Sequence, residues 1–257
     1  MIYFETGFVG TTYDLEYPRV LWNSICRRGT VAGSTEATGF EAVNAATATT
    51  YDKWTPTALP ATWTLTFDAT ENISAIAIDT HTLGTSGASV TVQEWTGSAW
   101  ADVVEGTPAD DEPIAFLFTR RSTDRIRLSI TGSTVPSVAV IHCSDALELP
   151  QRVYMGAATP IDMALQTEFE TNQTAQGQYT GRSIIRVKNK NKFKIAHLRE
   201  TYVRATLLPF IKDARTFPYF LLERPETRPT ALSYRWMDGD IVPARMGSVD
   251  FLSLIHI

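Results

Sequence analysis

Between Ala45 and Glu105 the chain alternates apolar and polar residues in short runs. Trp63-Thr64-Leu65-Thr66-Phe67 and Ile73-Ser74-Ala75-Ile76-Ala77-Ile78 repeat with a period of two, the pattern of strands with one buried face. Gly84, Gly87 and Gly97 stand between such runs, where a reversing chain needs positive φ. Further strands are expected at Arg19–Ile25, Val90–Trp95, Ile126–Ile130 and Val138–His142. Short strands spaced by about ten residues, with turn chemistry between them and little helical periodicity, predict an antiparallel double-sheet sandwich or jelly roll. Trp54, Trp63, Trp95 and Trp100 are assigned to its core, because a buried indole contributes a large apolar surface and places its N–H near the rim.

The pattern changes after Leu147-Glu148-Leu149-Pro150. Met163–Tyr179 is polar and rich in Gln and Thr, and a new unit begins at Gly181. In Ala196–Ala214, Leu198, Tyr202, Ala205 and Leu208 fall at helical spacing, with Pro209 expected to kink or end the helix. Strands return at Tyr219–Glu223, Leu232–Trp236 and Val249–Leu254. The expected architecture is therefore mainly β: an N-terminal arm (1–18), a jelly-roll β-sandwich (19–149), and a smaller α+β domain (150–257) with an antiparallel sheet and one principal helix. The arm carries Phe4, Phe8, Tyr13 and Tyr17. It either packs on its own domain or reaches a neighbouring subunit.

Composition narrows the function. With 44% hydrophobic and 20% charged residues the chain has the balance of a globular protein rather than a disordered one. No apolar run approaches the roughly 20 residues that span a bilayer. The opening MIYFETGFVGTTYDLEYP lacks the parts of a secretory signal, so synthesis and retention in the cytoplasm are expected. A net charge of −5 argues against a nucleic-acid partner. The basic segment Arg182–Lys194 alternates and reads as a strand with a solvated face. The two cysteines, Cys26 and Cys143, are too few for an ordinary zinc site, and they meet only if the first and last strands of the sandwich pair. In the cytoplasm they are expected to stay reduced.

Catalytic constellations are missing from the pattern. His81, His142, His197 and His256 are scattered, and His142 and Cys143, as strand neighbours, point to opposite faces. No phosphate loop, HExxH or nucleophile elbow is present. Asp68, Glu94 and Asp102 are the carboxylates a glycosidase reading would use, and strand-end and turn roles explain them better. No enzyme, metal or cofactor is expected.

Two family resemblances add to this reading. Asn23-Ser24-Ile25, Gly29-Thr30-Val31, Gly33-Ser34, Gly39 to Ala45 and Thr49-Thr50-Tyr51-Asp52-Lys53-Trp54-Thr55-Pro56, followed by Ala61 to Asp68, resemble the galactose-binding-like jelly roll of discoidin and coagulation-factor C-type domains. The hairpin Val90–Trp95, Gly97, Trp100 and the runs Ile126–Ile130 and Val138–His142 resemble its later strands. The resemblance covers about residues 19–148. It implies binding of carbohydrate or lipid head groups through loops at one end, and in some members a calcium ion. The loops Ala45–Lys53, Thr80–Gly87 and Thr119–Asp124 would offer Tyr51, Asp52, His81, Arg120 and Arg121 as ligand-binding residues, without the alternating carboxylates of a calcium site.

The second resemblance covers about residues 150–257. Gly181-Arg182-Ser183, then Phe217-Pro218-Tyr219-Phe220, Arg224-Pro225-Glu226 and Tyr234-Arg235-Trp236 resemble the C-terminal domain of minor tail and tail-tip proteins of long-tailed bacteriophages. It implies a virion tail component that assembles with other tail proteins, as a homo-oligomeric ring around the tail tube. Phe4, Phe8, Tyr13, Arg186 and Lys188 are the candidate assembly residues, since interfaces are enriched in aromatics and Arg. Two functions stay open: a tail structural protein carrying a carbohydrate-binding-like domain, or a carbohydrate-binding module for host-surface attachment that the second domain anchors.

Overall fold

The computed structural model describes residues 1–152, 165–189, 192–245 and 250–256. Met163 and Val249, at the ends of two segments read from the sequence, lie outside the described residues. In chain order the first strands are β1 (Ile2–Phe4), β2 (Arg19–Leu21), β3 (Thr30–Gly33), β4 (Ala61–His81), β5 (Ser89–Trp95), β6 (Trp100–Gly106), β7 (Ile114–Thr131), β8 (Val138–Ser144) and β9 (Leu147–Glu148). Then come β10 (Leu165–Gln173), β11 (Tyr179–Asn189), β12 (Lys192–Arg199), β13 (Tyr219–Leu222), β14 (Leu232–Arg235), β15 (Ala244–Arg245) and β16 (Asp250–His256). The chain is mainly β with antiparallel sheets, as its periodicity implies.

Two long strands make the sandwich. The first part of β4, Ala61–Thr66, pairs with Arg125–Ile130 of β7 and with β3, while β7 goes on to pair with β5 and β5 with β6. The later part, Ala75–Ile78, pairs with Ile114–Leu117 and with β8, and β1 lies parallel to β7. Register shifts between Thr66 and Glu71 and between Ile73 and Ala75 mark the corner where both strands pass from one sheet to the other. Thus the two runs at Trp63 and Ile73 are one strand. Trp54, Trp63, Leu65, Ile76, Phe116 and Leu128 meet in the sandwich core. The Trp63 indole N–H donates to the Ala42 carbonyl at 2.9 Å.

Trp95 and Trp100 depart from the expected core role. They lie half-exposed on the hairpin β5–β6, with ring centroids 5.3 Å apart, and Arg127 lies 4.3 Å over the Trp100 ring. The tight turn between them places Gly97 at φ 92, and the register sets Trp95 opposite Trp100 on the face of Gln93 and Arg127, away from the buried Val90 and Val92. Gly84 serves differently from the expected positive-φ turn. A Cβ there would come within 2.2 Å of the Asp110 backbone, so the glycine is needed for close approach.

Ile73–Ile78 also differs from its alternating pattern, because every residue is buried. Ile76 and Ile78 face the sandwich core, while Ala75 and Ala77, with Ala115 and Ala139, form a low outer surface. Onto that surface packs a third sheet, of order β14-β13-β2-β9, through Leu21, Phe220, Leu222 and Leu232. Arg19–Leu21 therefore pairs with β13 and β9 rather than opening the sandwich. Val20 and Leu21 are both buried, on opposite faces, and only a sheet covered on both sides satisfies such a strand.

The far side of the third sheet carries the helical segment. It runs through α1 (Glu200–Tyr202), a π-helical stretch Val203–Leu207 and α2 (Leu208–Ala214). Leu207, Phe210, Ile211 and Ala214 pack against Val20, Tyr219 and Leu221. The helix starts at Glu200 rather than Ala196, since β12 runs to Arg199. It also continues past Pro209. The widened stretch before the proline accommodates a residue that lacks an N–H and crowds the preceding turn. The layers run sheet, sheet, sheet, helix. Among the described residues no helix is long and apolar enough to cross a membrane.

His142 and Cys143 sit on opposite faces of β8. Cys143 lies in the sandwich core with Cys26, and both thiols are free. They meet through the 3₁₀ turn Ile25–Arg27, so no pairing of first and last strands is required. His142 faces the third sheet, its ring 5.6 Å from that of Phe220. Burial, helped by the Arg27 charge, lowers its pKa to about 3 against a hydrogen bond with the Trp22 backbone.

Two measurements check this layering. Ala77→Leu overfills the small-residue surface and is expected to cost about 1–3 kcal/mol in urea unfolding. The unfolded His142 side chain takes up a proton below about pH 6.5, whereas the folded one stays neutral until about 3. Its contribution is therefore full above pH 6.5 and is lost at about 1.4 kcal/mol per pH unit as pH falls toward 3. His142→Gln should flatten that part of the stability–pH curve.

Candidate functional site

The third sheet and the sandwich corner enclose a cleft of about 540 Å³. Six stretches supply its walls. They are Thr11–Tyr13 of the arm, Trp22 and Asn23 after β2, Arg28, Glu71–Ser74 at the β4 corner with Arg120 of β7, Asp145–Glu148, and Tyr202 and Thr206 of the helical segment.

Glu148 organises one wall. Its carboxylate accepts the backbone N–H groups of Thr11, Thr12 and Tyr13 at 3.0, 2.8 and 2.8 Å and the Arg19 guanidinium at 3.4 Å. Burial by itself would raise this carboxyl, but the three N–H donors and Arg19 outweigh it and hold the pKa below the usual range. Arg19 is 1% exposed and also donates to the carbonyls of Tyr13, Asp14 and Tyr17. This pair fastens the loop 11–17 to the third sheet. Tyr202 donates its hydroxyl to the Glu148 carbonyl at 2.9 Å, and burial raises its pKa.

A second device sets the opposite wall. Asn23 takes a left-handed conformation, φ 49, which Asn tolerates better than most residues. Its N–H donates to Asp213 at 3.0 Å, and its side-chain oxygen accepts from Arg28 at 2.9 Å. Asp213 also pairs with Arg27 at 3.0 Å. The turn after β2 is thereby tied to α2, and Trp22 rests edge-on against Phe210, 6.2 Å away. At the rim Arg28 pairs with Glu71 at 3.3 Å, and Arg120 donates to Asp145 at 3.0 Å.

The residues singled out from the sequence are not gathered in one place. Arg120 lines the cleft. Arg121 turns away, paired with Glu5 and, at 3.6 Å, with Glu94. Arg121 pairs with Ile73 in register, and His81 lies eight residues further along β4, roughly 26 Å at about 3.3 Å per residue. His81 is buried, and both ring nitrogens are engaged, with the Glu112 carbonyl at 3.0 Å and the Leu83 N–H at 3.2 Å. Such a histidine has no nitrogen left for a ligand. Tyr51 is 89% exposed, and Asp52 accepts from Thr49 at 3.3 Å in the same loop.

The assembly candidates also separate. Phe4 and Phe8 pack against the core between the sandwich and the third sheet, and Tyr13 lines the cleft beside Tyr17. The arm thus folds onto its own chain, because β1 finds a free edge on β7. Arg186 is exposed on β11, where it pairs with Glu168. Lys188 stands opposite Gln166, and its side chain lies outside the described residues. Among the glycosidase candidates, Glu94 is held by Arg121 and Asp102 by Gln93. Trp22, Asn23, Asn72, Glu148 and Tyr202 were not legible as a site. They come from separate segments with no shared spacing.

Comparison with family models and with curated proteins finds no match to this sequence. Among solved structures, the chain is similar to chitosan-binding module 1 of a chitosanase/glucanase from Paenibacillus sp. IK-5. That match has TM-score 0.42 and 16% identity, over 48% of this chain and 99% of that one. It is also similar to the family 32 carbohydrate-binding module of C. perfringens NanJ, solved with galactose, at TM-score 0.42 and 17% identity over 51% and 99%. A pectin-binding carbohydrate-binding module follows at TM-score 0.40 and 20% identity over 48% and 94%. These are likenesses of fold to modules about half the length of this chain. The sandwich assignment rests on the strand pairing described above.

Glu148→Ala strands a buried guanidinium and releases the arm. It is expected to cost about 3 kcal/mol in chemical unfolding, with Glu148→Gln intermediate.

Proposed function

We propose that the chain is a non-catalytic structural component of a bacteriophage tail that joins copies of itself and other tail proteins in the virion, with its sandwich as a carbohydrate-binding unit. The observation that carries this reading is the ribbon β10–β11. Its register places Leu165, Phe169, Ile184 and Val187 on one face and the Glu168–Arg186 pair on the other, with Ile185 the extra residue of a bulge. Leu165, Ile184 and Val187 are 67%, 63% and 54% exposed. Phe169 is covered by the Arg182 guanidinium, 3.2 Å above its ring, but a two-stranded ribbon with Leu165, Ile184 and Val187 left exposed is marginal in water by itself, and a neighbouring subunit would cover them.

The order of elements supports the tail reading. Gly181-Arg182-Ser183 lies in β11, and the helical segment precedes Phe217–Phe220 at β13. Arg224-Pro225 occupies the turn before β14, and β16 follows, so the words that carry the tail-protein resemblance fall on a strand, a turn and a further strand. The cleft favours a second reading, a carbohydrate-binding module for host-surface attachment with the C-terminal part as its anchor.

Imaging of phage particles carrying an epitope-tagged chain tests the proposal. Label at the tail supports it, and purified particles that lack the chain overturn it. Ile184→Asp with Val187→Asp is expected to lower self-association at least tenfold in sedimentation, with the melting temperature unchanged.

A further inference from the structure

We infer that the cleft between the sandwich corner and the helical segment is a composite binding site for a short neutral saccharide, an inference that rests on the carbohydrate reading above and gives it a place. The site is not formed by the loops at the ends of the sandwich. It exists only where the arm, the sandwich corner, the third sheet and the helical segment come together, so neither part of the chain owns it.

The size suits a small ligand. About 540 Å³ falls within the roughly 300–1,000 Å³ common to small-molecule sites. The lining alternates aromatic and polar groups in the manner a sugar demands. Trp22, Tyr13 and Tyr202 are half-buried there and can meet the C–H face of a pyranose, while Asn72 and Thr206 offer a donor and acceptors to its hydroxyl rim.

Charge selects a neutral compound. Each ion at the cleft already has its counter-ion: Arg28 with Glu71 at 3.3 Å, Arg120 with Asp145, and Glu148 with Arg19 at 3.4 Å. With each charge already neutralised by its partner, neither an anion nor a cation gains much net attraction at the cleft. A hydroxyl needs no net charge, since a paired carboxylate keeps free lone pairs and a paired guanidinium keeps free N–H groups for it. The Arg27–Asp213 pair and the Asn23 bond to Asp213 hold the Trp22 wall before any ligand arrives, which lowers the ordering cost of binding.

The test uses the full chain on an array of neutral and acidic oligosaccharides, followed by calorimetry with the best-bound sugar. Asn72→Ala removes a hydroxyl partner, Thr206→Arg fills the cleft, and Tyr51→Ala alters the exposed loop as a control. All three are checked by thermal melting. Binding of a neutral sugar that weakens at least tenfold in Asn72→Ala and Thr206→Arg, but not in Tyr51→Ala, supports the site. Binding that survives both cleft variants overturns the placement while leaving the carbohydrate reading intact. Binding confined to acidic sugars overturns the neutral class. Absence of binding to every sugar on the array removes the carbohydrate reading and the site with it.

Discussion

The fold depends on one sheet being buried from both sides. A strand in an ordinary sandwich has a core face and a wet face. In Ile73–Ile78 the wet face is replaced by alanines, which bring the backbone of the second sheet close to Leu21, Phe220 and Leu222. Bulky residues at Ala75, Ala77, Ala115 or Ala139 would hold the third sheet away, and polar ones would lose their water. Everything beyond that surface follows from it: the third sheet has a place to lie, the helix has a sheet to cover, and the cleft has two sides.

Charge then fixes what packing leaves free. The loop 11–17 buries Leu15 in the core, and its first residues are held by backbone N–H groups that converge on the Glu148 carboxylate and, with Arg19, keep it ionised. The Arg27–Asp213 pair does the same for the turn after β2. Both clasps join residues from the sandwich side of the chain to the third sheet or the helix. Their separation of more than a hundred positions in sequence makes them tertiary constraints, not local turns.

How far the sequence could be read follows from the range of the forces involved. Alternation is local, so Trp63–Phe67 announced its strand, and Leu198 to Leu208 announced a helix within a few residues of its place. The second burial of Ile73–Ile78 is not local, because alternation of Ile with Ala looks like a half-exposed strand until a partner is known. Arg19–Leu21 misled for the same reason, its partners lying at Phe220 and Leu147. Trp95 and Trp100 had the right chemistry for a core and the wrong side of the sheet. At the cleft only Arg120 and Tyr13 had been marked, because the remaining groups converge through the layer stack and share no motif.

The pairing of Leu21 with Phe220 also bears on the chain's birth. On the ribosome the sandwich strands emerge first and can close on Trp63 and Phe116, and Leu21 is already made, yet Phe220, Leu222 and Leu232, which complete the cover of the alanine surface, leave the tunnel only long after β8. Between the end of β8 and the arrival of β13 the nascent protein therefore carries a partly sealed apolar flank whose cover is still being translated. A shielding chaperone or a brisk final stretch of elongation would serve this polypeptide more than it would serve a free-standing sandwich.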